Sequence, residues 1–164
     1  MLYFLKRIFV LVFLCLNLVA CEKDNLSLVN FPEDSEVNYD SIELELMNLV
    51  NIHRADLGLS KLNRLSLVSN EAKIHTNYMV DKELLSHDNF DLRTTNLIKN
   101  IGATKVGENV AYGYQNAGEM LKAWLNSQKH RQVIEGDEYT NFGISAKKNS
   151  AGRYYVTQIF IQIK

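Results

Sequence analysis

The chain is poor in the residues that most often carry chemistry. Its two cysteines, Cys15 and Cys21, both lie near the N-terminus. The body therefore has no thiol for a disulfide, a thiolate metal site or a nucleophile. There is one proline, Pro32, and one tryptophan, Trp124. Lysine and arginine number 18 against 19 aspartates and glutamates, and no basic run stands out, which argues against a nucleic-acid partner. No His-Glu-x-x-His helix and no Gly-x-Ser-x-Gly elbow points to an established hydrolase design. Internal repeats and low-complexity tracts are missing too. Any chemistry must come from histidines, carboxylates and hydroxyls.

One long apolar run is present, and it opens the chain. Lys6 and Arg7 precede Ile8 to Ala20, in which only Asn17 is strongly polar. That is the charged-then-apolar order of a secretory signal. As a helix the run would reach roughly 20 Å against a hydrocarbon core of about 30 Å, too short for a comfortable membrane span. Its end, Leu18-Val19-Ala20-Cys21, resembles the lipobox of bacterial lipoproteins. The expectation is a signal peptide over 1–20 and lipidation at Cys21, with several acyl chains giving stable anchoring. The membrane would be reached through the lipid alone. Without Lys6 and Arg7 the 18 basic residues become 16 against 19 acidic, a net charge of −3. Residues 21–39 read as the lipidated cysteine and an acidic tether, and 40–164 as one domain long enough for a real core. Glu22, rather than aspartate, follows Cys21, which favours the outer membrane or cell surface over the inner membrane.

Asp40 followed by Glu43 predicts the start of a first helix, with an apolar stripe of Ile42, Leu46, Leu49, Val50, His53 and Leu57 and a stop at Gly58. A second helix is expected over Val68 to Leu84, a short third over Asp91 to Ile101 closed by Gly102, and a fourth from Ala117 to Glu135 ended by Gly136. Val106 to Gly113 reads as a strand. A hairpin with arms Phe142 to Ala146 and Arg153 to Ile163 completes the chain. In its second arm Tyr155, Ile159, Ile161 and Ile163 share one face and Tyr154, Val156 and Phe160 the other. Both faces are apolar, so a small sheet covered on both sides is expected: an α+β fold, a three-layer α-β-α sandwich.

The four histidines are not equivalent. His53 and His75 sit on apolar helix stripes, where an imidazole is usually packed with one hydrogen bond. His87 and His130 stand in polar surroundings where no packing argument demands them. Glu108, in Gly107-Glu108-Asn109, is a carboxylate on an otherwise apolar strand, and buried there it needs hydrogen bonds or a cation. Two imidazoles and a carboxylate are a ligand set for zinc, and such an ion could activate water. Local spacing does not bring them together, so two surface histidines and an unrelated glutamate stand as the alternative.

The order Leu85-Ser86-His87, Gly107-Glu108-Asn109-Val110-Ala111-Tyr112-Gly113, Ala123-Trp124-Leu125-Asn126-Ser127-x-x-His130-Arg131 and Phe142-Gly143-Ile144 resembles the CAP superfamily (the SCP-like domain) in its bacterial branch. Leu49-x-Asn51-x-x-Arg54 upstream and Tyr155-Val156-Thr157-Gln158-Ile159-Phe160 downstream extend the likeness over nearly all of residues 41 to 164. The resemblance implies an α-β-α sandwich with a central cleft lined by two histidines and two acids. His87 and His130 match the histidines and Glu108 the glutamate of the Gly-Glu-Asn motif. Ser127 stands where longer relatives carry the second acid, so the four-ligand set is incomplete here. Asn109 and Ser127 are candidates to orient the imidazoles, with a strand-turn amide and a helix-surface serine as the alternatives. Trp124 is expected in the core; Tyr112 and Tyr114 suit either core or cleft wall.

Three functions compete. The favoured one is a binding module that holds a small-molecule, lipid, peptide or glycan ligand, with zinc or another divalent cation as its candidate cofactor. The second is a zinc-assisted hydrolase, most simply a peptidase, with Glu108 as base or ligand. The third is a structural or partner-interaction domain with a vestigial cleft. Enzymatic turnover is the less expected outcome.

Overall fold

The computed structural model describes residues 37–164; the expected signal peptide over 1–20, Cys21 and most of the expected tether lie outside the described residues. Helix α1 spans Ser41–Asp56 and starts as the sequence dictates, with an Asp40/Glu43 capping box. The Asp40 N–H donates to Glu43 Oε2 at 2.8 Å. Gly58, at φ +74°, takes the left-handed turn that ends the helical segment. Helix α2 covers Ser66–Lys82 and α3 Phe90–Ile101, the latter closed by left-handed Gly102. Strand β2 is Lys105–Tyr112, and the hairpin is β3 Asn141–Lys148 with β4 Tyr154–Gln162.

The structure departs from the sequence reading in two places. A two-residue strand, β1 at Asn63–Arg64, occupies the connection after α1 and pairs in parallel with Asn141 and Phe142. It is too short to show any alternation. The expected fourth helix is two, α4 Ala117–Asn126 and α5 Gln128–Ile134, divided at Ser127, whose backbone is extended. No proline or glycine marks that break. It is set by tertiary contacts described below.

The strands form one sheet in the order β1-β3-β4-β2, with β2 antiparallel to β4 and β4 antiparallel to β3. Alternation along β4 divides the core as expected. Val156 and Phe160 join Phe142, Ile144 and Ala111 under α1 and α4, with Leu46, Val50, Met120 and Trp124. Ile159 and Ile161 face Val68 and Ala72 of α2 and Leu97 and Ile101 of α3. The result is the three-layer α-β-α sandwich. Among the described residues no helix is long and apolar enough to cross a membrane.

Layers approach very closely at Gly143, where a Cβ would stand 2.3 Å from the Ser69 backbone N and 2.5 Å from the Val68 carbonyl carbon. Only glycine lets α2 approach β3 this closely. Beyond the short β1, the outward N–H groups of β3 are closed by side chains. Ser69 Oγ accepts from Ile144 N at 3.1 Å and Glu43 Oε1 from Ala146 N at 2.7 Å. The strand edge is thereby satisfied without a further strand.

Candidate functional site

Strand β2 ends the sheet, and its alternation sends Glu108 and Asn109 to opposite faces. Glu108 points to the α2 and α3 side. Its carboxylate is 1% exposed and takes a bidentate pair of bonds from the α3 residue Arg93, Nε to Oε2 and Nη2 to Oε1, each at 2.8 Å. His87, on the loop between α2 and α3, donates from Nδ1 to Glu108 Oε1 at 2.8 Å. Burial alone would raise the Glu108 pKa, but the hydrogen bonds from His87 and Arg93 outweigh it and hold the carboxyl below its ordinary range. The His87 ring is half exposed.

Asn109 points to the other face and donates from Nδ2 to the backbone carbonyl of His130 at 3.0 Å. It therefore orients the peptide that carries the imidazole rather than the imidazole itself. Trp124 is buried, as expected of a core residue, and its Nε1–H donates to the Val110 carbonyl at 2.9 Å. These two bonds tie the end of α4 and the body of α5 to neighbouring residues of β2. Ser127 must bend the chain between them. Its carbonyl accepts from Arg131 N, and its side chain caps nothing. Arg54, fully buried, fastens the far end of α5 through Nη1 to the carbonyls of Ile134 at 2.6 Å and Gly136 at 2.8 Å.

Between these elements lies a cleft of about 220 Å³ walled by Leu85, Val110, Tyr112, Tyr114, Ser127 and His130 among others. Both tyrosines serve as cleft wall, and Tyr112 also packs on Tyr155 with ring centroids 4.3 Å apart. His87 is not among the walls. His130 nevertheless senses it: the His130 pKa is lowered first by burial and then by the proximity of His87. The structure thus brings His87 and Glu108 into direct contact, and places His130 across β2 within electrostatic reach.

The other two histidines pack as their stripes suggested. His53 Nε2 meets Glu135 Oε1 at 2.9 Å, and buried His75 bonds the Ser86 carbonyl from Nε2 at 2.7 Å. Arg93 is the site residue that sequence reasoning missed. A signal was available: it stands four and eight residues before Leu97 and Ile101, so the buried stripe of α3 carries a cation toward the core, opposite a carboxylate that required one.

Zinc fits these residues poorly. Both Glu108 oxygens are engaged by Arg93 and His87, and Ser127 supplies no acid. Among the described residues no group of three or more histidines, cysteines, aspartates and glutamates comes together as a metal site.

The sequence model of the cysteine-rich secretory protein family, CAP, matches residues 47–160. The "Uncharacterized membrane protein YlbC" of Bacillus subtilis (strain 168) is 28% identical over 123 residues, 73% of this chain and 34% of that protein. The chain therefore spans about a third of that relative. An extracellular protein containing a SCP domain from Bacillus anthracis str. Ames superposes with a TM-score of 0.65 at 27% identity, covering 74% of this chain and 40% of that one. An outer surface protein from Borrelia burgdorferi shares the fold at a TM-score of 0.69 and 18% identity, over 78% of this chain and 97% of its own.

Proposed function

Because the chain belongs to the cysteine-rich secretory protein (CAP) family, we propose that it is an extracytoplasmic binding domain that holds a ligand in the cleft beside β2 without a resident metal. One observation carries the reading: Glu108 is neutralised by Arg93 and spent on orienting His87. A carboxylate so engaged is not free to bind a cation or to take a proton from water, which weighs against the zinc-assisted hydrolase. What faces the cleft is a set of binding groups: the His130 imidazole, the Ser127 hydroxyl, two tyrosines and the apolar Leu85 and Val110. Concave, mostly apolar walls with a few directed polar groups suit a small organic or peptide ligand.

The extracellular and outer-surface relatives support a location outside the cytoplasm. The anchor at Cys21 is the finer part of the proposal. It predicts that Cys21→Ser moves the protein from the membrane fraction to the soluble one.

The test is an amide-resolved NMR titration with three probe classes, tri-alanine peptides, N-acetylglucosamine oligomers and palmitate, each with and without EDTA. The expected result is one class shifting the amides of Leu85, Val110 to Tyr114, Ser127 and His130, unchanged by EDTA and lost in His130→Ala. Binding abolished by EDTA, or cleavage of a probe, would reject the reading. A micromolar zinc affinity in calorimetry that disappears in His87→Ala/His130→Ala would restore the metal-dependent alternative.

A further inference from the structure

The loop bearing His87 is bracketed by two non-glycine residues in left-handed backbone, Glu83 at φ +50° and Asn89 at φ +59°. Such conformations are sparsely populated and persist where surrounding contacts hold them. The contacts that do so converge on the carbonyls of the residues before and after His87. The Ser86 carbonyl accepts from His75 Nε2 at 2.7 Å, and the Asp88 carbonyl accepts from Arg93 Nη1 at 2.7 Å. Tyr78 adds its hydroxyl to the Asp88 carboxylate at 2.8 Å, and its ring stacks on His75 at 5.9 Å and 15°.

A carbonyl only accepts, so His75 Nε2 must carry a proton. Burial lowers the His75 pKa and favours the neutral ring, in which that proton is the only one. His75 is therefore held in a single tautomer. Arg93, the second clamp, is the residue that also grips Glu108.

We propose that His75 is a positioning residue for His87: with Arg93 it clamps the carbonyls of Ser86 and Asp88, the residues on either side of His87, and so holds the ring with its Nδ1 proton on Glu108. In the tautomer with its one proton on Nδ1, the half-exposed ring leaves Nε2 as an acceptor. The ligand it selects is one that presents a donor there, a hydroxyl, amide N–H or ammonium. This deepens the binding reading and rests on it only for the identity of the ligand. The clamp itself can be measured with no ligand present.

The experiment is a long-range 15N–1H correlation spectrum of the histidine side chains in the full chain. The wild type is expected to show the His75 proton on Nε2 and the His87 proton on Nδ1. His75→Phe keeps a stacking ring and loses the donor; it is expected to move His87 toward the Nε2-protonated form while His53 and His130 stay unchanged. His75→Gln restores an N–H donor and is expected to return the His87 pattern. A His75 proton on Nδ1 in the wild type, or an unchanged His87 pattern in folded His75→Phe, overturns the proposal. If His75→Phe does not fold, His75→Gln decides: a wild-type His87 pattern supports the clamp and a shifted one overturns it. Since no probe is added, failure here differs from failure of the ligand titration, which leaves the tautomers as they are.

Discussion

At the scale of single residues the site turns on one ion pair. Arg93 and Glu108 are both nearly inaccessible, with side chains 5% and 1% exposed. Removing one partner of such a pair leaves a buried charge uncompensated, at a cost of about 3–5 kcal/mol. Arg93→Met is therefore expected to lower the urea unfolding free energy by that order, and Arg93→Met/Glu108→Gln to recover part of it. A double variant no more stable than the single would mean the pair is not the source of the loss. Glu108 was legible in the sequence as a carboxylate needing a partner. Which cation answered it was not, because the nearest charges along the chain, such as Lys105, lie on the same strand, while Arg93 arrives from another helix.

At the scale of elements, most boundaries follow from local signals. The Asp40/Glu43 cap, the left-handed glycines at 58 and 102 and the two-residue alternation of β4 each appear where the sequence placed them. The division of α4 from α5 does not, because Ser127 is bent by bonds that the Val110 and His130 carbonyls accept from side chains distant in sequence. Two substitutions probe how elements are joined. Gly143→Ala would force a methyl against the Ser69 and Val68 backbone, so α2 must move off the sheet. Overpacking of this kind costs about 1–3 kcal/mol, and a contact with backbone belongs at the upper end. Glu43→Ala leaves the Ala146 N–H of β3 without its acceptor and removes half of the α1 cap, and losing a partner to a buried donor costs about 1–3 kcal/mol. Denaturant midpoints check both, and amide exchange at Ala146 should accelerate in Glu43→Ala alone.

For the whole molecule, the buried titratable groups set how stability follows pH. His75 and His130 have pKa values lowered first by burial, so the native state resists the proton that the unfolded chain takes up below about pH 6.5. The unfolded state then binds more protons, and stability falls as pH drops from about 7 through 6. Glu108 adds a loss of the same sign lower down: its depressed pKa gives stability that is present above the ordinary carboxylate range and disappears as pH falls through the folded value. Glu43 acts oppositely, since burial raises its pKa and protonation relieves it. Thermal melts from pH 8 to 5 should show a falling midpoint, and His75→Gln should flatten its upper part. A midpoint that rises between pH 7 and 5.5 would contradict this assignment. By itself the sequence determined the first three helices, the strand alternation, the layered fold, and the identity of His87, Glu108 and His130 as unusual residues. Those depend on periods and caps read within a few positions of one another. Only the tertiary structure decided that Glu108 is neutralised by Arg93, that His75 reaches the loop of His87, and that His130 stands across the strand. A period says which face a side chain occupies, but the partner it meets there depends on how all three layers pack.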